Sequence, residues 1–271
     1  MSMPVPLGKL FAGQPFDGVA EVYDALFEDN PVTSHLRRLL HKRMLLHFRA
    51  GDRVLDLNCG TGTDAVFLAQ HGIAVTAVDL SPSMIDCTRK KCSAPGLAGL
   101  VTANVGSFED PAIFSPASFE GIVSMFGGLN CTPDLRNITE HAYRSLKSGG
   151  VLIACVMNKV SLWEISSFLA RGNFRRAFRR FRSGAVHVPL GAGSVPVWYY
   201  SPRTFREQIE ERFHIESVYG LNIVSPPPNS GCFLTKHSRL TTWLLELDEH
   251  LRRVSPFNSL GDHFVIEARR K

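Results

Sequence analysis

The chain has 271 residues, of which 44% are hydrophobic, so it can fill a globular core and extensive disorder is excluded. Its start, MSMPVPLGKL, does not resemble a leader peptide, and no apolar run approaches the roughly 18 residues that cross a bilayer. We therefore expect a soluble, cytoplasmic protein. The six cysteines are scattered and form no Cys/His cluster, so the sequence predicts reduced thiols and no metal site.

The formal charge of +5 comes from one segment. RGNFRRAFRRFRSG, residues 171–184, holds six arginines; removing six from the 30 basic residues leaves 24 against 25 acidic residues, a balance of −1. In a helix, Phe174, Phe178 and Phe181 would share a face. We expect core phenylalanines and solvated arginines here. A surface on Arg171 to Arg182 for an anionic substrate or acidic lipid headgroups is the alternative.

Two helices are predicted before the first strand, over about 16–27 and 33–48. From residue 51, strand-like and helix-like segments alternate, which predicts a mainly parallel sheet with crossover helices. The first five strands are predicted at 53–57, 74–78, 100–104, 121–126 and 151–157. The helix after the second strand has Ser81 as its predicted cap and Pro82 at its first position.

The alternation breaks after residue 157. A helix around 162–169, the arginine-rich segment and VHVPLGAGSVPVWYY, whose GAG turn predicts a hairpin, form an apparent insertion. A helix over 204–213, a sixth strand in HIESVYGLNIV, an irregular SPPPNSG, a helix over 237–254 and a seventh strand in DHFVIEARR follow. We expect an N-terminal cap (1–50), a cofactor-binding core (51–157), a lid (158–200) and a C-terminal part of the core with its own insertion (201–271).

The stretch VLDLNCGTGTD, residues 54–64, forms a glycine turn after the first strand. Gly60 and Gly62 let the backbone come close to a ligand. Asp79, at the end of the second strand, is placed to accept hydrogen bonds from two ribose hydroxyls. These features predict a nucleoside cofactor at the carboxyl ends of the strands.

The acidic residues near the turn help to decide which nucleoside cofactor binds there. Gly60-x-Gly62-x-x-Ala65 also fits the nicotinamide fingerprint, so an NAD(P)-dependent oxidoreductase is an alternative. Asp56 and Asp64 would each oppose a pyrophosphate by on the order of 1 kcal/mol or more. They would favour a sulfonium that carries an ammonium group, although Asp64 could instead cap its own helix. The charge therefore favours S-adenosylmethionine.

Four segments in order carry a family resemblance. VLDLNCGTGTD, VTAVDLSPSMI, FEGIVSMFGGLNCTPDL and RSLKSGGVLIA resemble motifs of the class I S-adenosylmethionine-dependent methyltransferases, and they cover residues 51–157. The resemblance implies an α/β fold, a doubly wound Rossmann-like sheet of seven strands in the order 3-2-1-4-5-7-6 with the last strand antiparallel. It also implies S-adenosyl-L-methionine as the cofactor and S-adenosyl-L-homocysteine as its product.

Carried over by position, the resemblance also implies roles for single residues. Asp56 and the turn Cys59, Gly60, Thr61 and Gly62 would hold the methionine part, Asp79 the ribose, and Leu80 and Met84 the adenine. The third motif departs from the family, because Ser107 and Phe108 stand where many relatives have an acid. Phe126 and Gly127 would line the sulfonium side, and Tyr23 resembles a cap tyrosine near the cofactor.

Direct in-line transfer needs alignment more than a special catalyst, and a base is needed only for a hydroxyl or a protonated amine. Candidate catalytic residues are Tyr23, His187, Tyr199, Tyr200 and His263. Asn130 and the aromatic run Trp198, Tyr199 and Tyr200 are expected to contact the acceptor.

We predict methyl transfer to a small or medium-sized, partly apolar molecule. Nucleic acid is disfavoured because the D/N-P-P-Y/F signature is absent after the fourth strand. The alternatives are the oxidoreductase and a non-catalytic S-adenosylmethionine-binding or RNA-binding protein. The acceptor atom and the oligomeric state are left open.

Overall fold

The computed structural model describes residues 13–28, 30–228 and 230–271. Its centre is a seven-stranded sheet of β1 (Arg53–Leu57), β2 (Ala74–Asp79), β3 (Val101–Val105), β4 (Phe119–Ser124), β5 (Leu146–Met157), β8 (Phe213–Leu221) and β9 (His263–Arg270). The strand order is β3-β2-β1-β4-β5-β9-β8, and β9 is antiparallel to both neighbours. A separate hairpin consists of β6 (Val186–Leu190) and β7 (Gly193–Val197). With the hairpin left out, this is the predicted order, so the predicted fold is confirmed.

Helices cover both faces of the sheet, which explains why its central strands are almost wholly apolar. They are α1 (Gly13–Asp17), α2 (Pro31–His47), α3 (Thr63–Gln70), α4 (Pro82–Cys92), α5 (Leu135–Ser145), α6 (Leu162–Leu169), α7 (Phe174–Ala177), α8 (Pro202–Ile209), α9 (Gly231–Lys236) and α10 (Ser238–Leu251). One core cluster joins β1, β2 and β5 to α2, α3 and α10, and a second joins the opposite face to α5 and α8. None of the helices in the described ranges combines the length and apolar character needed to cross a membrane.

The N-terminal region differs from the prediction of one helix over 16–27. The helix α1 ends at Asp17, and a 3-10 turn (Ala20–Val22) and a π-helical turn (Asp24–Glu28) follow. Gly18 is a poor helix former. In addition, the Asp17 carboxylate accepts hydrogen bonds from the Ser81 hydroxyl and the Ser83 N–H. Residues 1–12 of the predicted cap lie outside the described part of the chain.

The arginine-rich segment also contradicts its prediction. It folds as the short helix α7 followed by a 3-10 turn (Arg179–Phe181), with Ala177 and Arg180 facing inward. Phe174, Phe178 and Phe181 are 66%, 47% and 45% exposed, so they are not core residues. The reason is that Arg180 forms ion pairs inside the protein, which turns the aromatic face outward.

The described cysteines are free thiols, at positions 59, 87, 92, 131 and 155. Burial raises the pKa of Cys131 and of Cys155 to about 12, so both are protonated at neutral pH. The side chain of Cys232 lies outside the described part.

Candidate cofactor and acceptor site

A cavity of about 540 Å³ lies beyond the carboxyl ends of β1, β2 and β4, where a doubly wound sheet binds its ligands. That volume suits a small-molecule site. Most residues predicted to bind the cofactor line it, namely Tyr23, Cys59, Gly60, Thr61, Asp79, Leu80, Met84, Ser107, Phe108, Phe126 and Gly127. Asp56 and Gly62 lie behind the lining.

The glycine turn is held by the Asp79 carboxylate. Gly60 and Gly62 have φ values of +56° and +80°, in the left-handed region that favours glycine. One oxygen of Asp79 accepts the Gly60 N–H at 2.9 Å, and the other accepts the Ser81 N–H at 2.9 Å. Each oxygen keeps a second lone pair for a ligand hydroxyl. Burial raises the pKa of Asp79, and these N–H donors oppose that rise.

Asp56 adds a second carboxyl beneath the turn. It is 1% exposed, and its Oδ2 has no hydrogen-bond partner among the described residues. Burial raises the pKa of Asp56 well above its usual value, and the nearby carboxylates of Asp64 and Asp79 raise it further. The carboxyl groups of Asp56 and Asp79 thus lie close together at this end of the cavity, where a bound cation would favour their ionised forms.

Asp64 differs from its predicted role as an unpaired charge facing the ligand, because its carboxylate is paired within the protein. Its carboxylate pairs with Arg37 at 2.6 Å and with His41 at 2.7 Å, both from α2. Burial alone would raise the pKa of Asp64, but these two partners hold it well below its usual range. Nor does Asp64 cap its helix, since the N-cap is Gly62 without a side-chain bond. Its charge is neutralised by α2.

The N-terminal segment closes one wall of the cavity. Phe16, Tyr23 and Phe27 line it from this side. The segment is fixed to the glycine turn because Asp24 accepts the Thr61 hydroxyl at 2.6 Å and pairs with Lys91 at 2.6 Å.

The far half of the cavity is apolar with one polar corner. Its apolar lining includes Val188, Pro189, Leu190, Val195 and Val197 of the hairpin, with Pro227 and Pro228 of the proline segment. The polar corner consists of Arg179, Arg180, Tyr199, Asp262 and His263. Residues of the segment predicted as the lid (158–200) thus contribute to the lining.

In the polar corner, Asp262 orients His263. Asp262 Oδ2 lies 2.9 Å from His263 Nδ1, and Asp262 Oδ1 accepts from Arg180 Nη2 at 2.6 Å and from Ser161 at 3.1 Å. Burial opposes ionisation of Asp262, but Arg180 and His263 hold its pKa well below the usual range. Because an ionised carboxylate can only accept, His263 Nδ1 is the donor in this contact, and in the neutral form of the ring Nε2 carries the lone pair.

Tyr199 beside this network is suited to donate a hydrogen bond. The Arg180 guanidinium lies 4.8 Å from the centre of its ring. Burial raises the pKa of Tyr199 and outweighs the opposing effect of the two arginines. Its phenol therefore keeps its proton at neutral pH, which makes it a poor general base.

Four predicted residues do not reach the cavity. Asn130 is fully buried, and its amide bonds backbone groups of Met157 and Trp198. Tyr200 donates to the Thr132 carbonyl at 2.5 Å, away from the lining, and Trp198 is also outside it. His187 is exposed on the hairpin. Asn130, Trp198 and Tyr200, predicted to contact the acceptor, thus lie outside the lining and support the wall. His187 and Tyr200, predicted as candidate bases, are outside the lining as well.

Sequence reasoning missed Glu109. This acid lines the cavity, and its Oε2 is buried with no partner among the described residues, while Oε1 accepts the Thr132 hydroxyl at 2.9 Å. Glu109 stands two positions after Ser107 in VTANVGSFED. The sequence therefore offered an acid close to the position where many relatives have one. Asp262 stands next to His263 in the sequence, so their pairing had a local signal, whereas the role of Arg180 had none.

A family model described as a methyltransferase domain matches residues 54–150. That range contains the glycine turn, Asp79 and the strands β1 to β4.

Comparisons with single proteins cover more of the chain than this match. An uncharacterized protein of Methanocaldococcus jannaschii is 25% identical over 81% of this chain and 82% of its own length. The demethylmenaquinone methyltransferase of Symbiobacterium thermophilum is 32% identical over 59% of this chain, and the match spans 62% of that enzyme. Among solved structures, a S-adenosylmethionine-dependent methyltransferase of Methanosarcina mazei has the same fold, with a TM-score of 0.58 at 20% identity, covering 84% of this chain and 96% of that one.

Proposed function

We propose that the chain is a class I S-adenosylmethionine-dependent methyltransferase and that it methylates a hydroxyl on a small or medium-sized, partly apolar acceptor by direct transfer. The carrying observation is that one cavity extends from the Asp79 turn to the His263–Asp262 pair. Cofactor and acceptor would therefore share an enclosed space. A non-catalytic binding protein would not need a cavity that continues beyond the cofactor end.

The residues at the glycine turn fit the cofactor. Asp79 retains acceptor capacity for the two ribose hydroxyls, and the unpartnered Asp56 carboxyl lies where a cationic amino group would compensate it, directly or through water. Glu109 Oε2 offers an acceptor for the adenine amino group. When bound, S-adenosylmethionine supplies the methyl group and the sulfonium leaving group.

A dinucleotide fits this turn less well. The Gly60 N–H is donated to Asp79 and the Gly62 N–H to the Cys59 carbonyl, so neither glycine N–H is available for a pyrophosphate. Asp56 and Asp79 would also repel its charge. These contacts support the sulfonium cofactor over the oxidoreductase alternative.

His263 is the base that the geometry favours for a hydroxyl acceptor. Its Nε2 holds the lone pair, and its ring lies 6.4 Å from that of Phe126, which the family resemblance assigns to the sulfonium side. The apolar hairpin and proline lining would hold the acceptor's hydrocarbon part and exclude water. The demethylmenaquinone methyltransferase relative is named for a quinone acceptor, which agrees with a partly apolar substrate.

Replacing Asp79 with Ala is expected to weaken S-adenosylhomocysteine binding by about 1.5–3 kcal/mol, because hydrogen bonds to a charged group are lost. Titration calorimetry measures the change, and Asp86→Ala, an exposed acid of α4, is the matched control. NADH is titrated in parallel. Unchanged affinity in the Asp79 variant, or tight binding of NADH alone, would contradict the proposed cofactor site.

Methyl transfer itself is tested with radiolabelled S-adenosylmethionine and three probes: catechol, naphthol and phenethylamine. We expect label on the two hydroxyl compounds and little on the amine. Label only on phenethylamine would overturn the hydroxyl assignment while leaving the cofactor assignment intact.

A further inference from the structure

An exposed group of aromatic and basic side chains lies beside the cavity. Phe174, Phe178 and Phe181 project outward, and the rings of Phe178 and Phe181 are 6.0 Å apart. Arg171, Arg175 and Arg182 in the same segment are also exposed. We call these six side chains the Phe/Arg patch.

The charge around the patch has one sign. Between Glu164 and Glu207 the sequence contains no acidic residue. Glu164 itself is taken up by ion pairs with Arg179 and Arg180 at 2.6 and 2.7 Å. The outer arginines are therefore not neutralised from within this stretch of the chain.

Three exposed phenylalanines flanked by arginines match the chemistry of an anionic bilayer surface. Aromatic rings insert at the boundary between headgroups and acyl chains, and guanidinium groups bind lipid phosphates. A nucleic acid would also attract the arginines, but insertion of the three rings into a hydrocarbon layer has no counterpart on a duplex backbone.

The segment that carries the patch is fixed to the rest of the protein by buried hydrogen bonds. On the inner side of the same short segment, Arg180 is 6% exposed and is bonded to Glu164, Asp262 and the Asn158 carbonyl. Arg179 and Arg180 also line the cavity. A surface that binds the patch would thus lie against the segment that walls the acceptor half.

We propose that the Phe/Arg patch docks the protein onto the surface of an anionic phospholipid bilayer. This docking goes beyond the transfer reaction and does not depend on the identity of the acceptor. It holds the wall of the cavity at the membrane, where partly apolar molecules concentrate.

The test is flotation of the full chain with vesicles of phosphatidylglycerol and phosphatidylcholine, compared with pure phosphatidylcholine. We expect binding to the anionic vesicles only, weakened by salt. Changing Arg171, Arg175 and Arg182 to Gln should lower the affinity by about fivefold per arginine. Changing the three phenylalanines to Ser should lower it by roughly tenfold for each ring that inserts.

Matched controls remove the same groups elsewhere. Arg49, Arg144 and Lys147 change to Gln for the charge control, and Leu46, which is 68% exposed on α2, changes to Ser for the apolar control. Both controls should float like the unaltered chain. A Phe178→Trp variant should show a blue shift of its added emission on anionic vesicles.

Several outcomes overturn the proposal. It fails if the unaltered chain does not float with anionic vesicles, or if the patch variants and their controls float equally. It also fails if single-stranded RNA binds through the patch while the vesicles do not, since the partner is then a nucleic acid. Circular dichroism of each variant ensures that a loss of binding is not a loss of folding.

Discussion

Replacing His263 with Ala is expected to lower kcat by about 10²–10⁴-fold, the usual contribution of a positioned general base. Asp262 fixes the Nδ1 proton at 2.9 Å and leaves Nε2 free to accept the proton of the acceptor hydroxyl. Cofactor affinity should be unchanged, because the ring lies at the acceptor end of the cavity. Single-turnover rates with catechol and calorimetry with S-adenosylhomocysteine measure the two effects separately.

The control for this variant is His187→Ala on the exposed hairpin, outside the cavity, which should keep full activity. Two further readouts distinguish a base from a structural residue. Added imidazole should partly restore the His263→Ala rate. The rate of the variant should also rise more steeply with pH than that of the unaltered protein, because catechol must then ionise without a base. A His263 variant with normal kcat would remove the proposed base.

The cofactor half of the site could be predicted from the sequence because its residues lie in short motifs at the ends of recognisable strands. Asp56 and Asp79 lie at or near the ends of strands whose apolar runs are visible in the sequence, and the glycines follow the first of these strands. Parallel strands bring their carboxyl ends together. The strands β1 and β2 pair in parallel, from Arg53 with Ala74 to Leu57 with Val78. The residues at the two strand ends therefore become neighbours at the cavity.

The acceptor half could not be predicted in the same way, since its charges pair across distant elements. Arg180 follows α7, Glu164 lies in α6 and Asp262 precedes β9, and no periodicity relates them. The helical spacing of Phe174, Phe178 and Phe181 predicted one common environment for the three rings, and all three are exposed. The prediction that these rings are buried is wrong, because hydrophobicity alone does not reveal that Arg180 of the same segment forms a buried ion pair.

The buried ion pairs of Arg180 lead to the second large effect. Changing Arg180 to Leu removes a guanidinium that pairs with the buried carboxylates of Glu164 and Asp262, and it is expected to cost about 3 kcal/mol in the free energy of unfolding at neutral pH. The cost is at the lower end for a broken buried pair, because Glu164 keeps Arg179 and Asp262 keeps His263. The proposed base should also be affected, because Arg180 no longer holds Asp262 in the orientation that fixes the His263 Nδ1 proton. We therefore expect a lower kcat in the folded fraction as well.

The pH dependence of this loss identifies its cause. The pKa of Asp262 and that of Glu164 are lowered in the folded protein, so their stabilisation is present above the unfolded values of about 4 and is lost as pH falls through the folded values. In the Leu variant these pKa values rise, and protonation relieves the buried charge. The stability gap between the two proteins, measured by urea unfolding, should thus be largest near neutral pH and shrink on acidification. Arg182→Leu, two positions along and exposed, should open no such gap; a gap for Arg180→Leu that is constant with pH would mean that lost packing, and not the paired charges, causes the destabilisation.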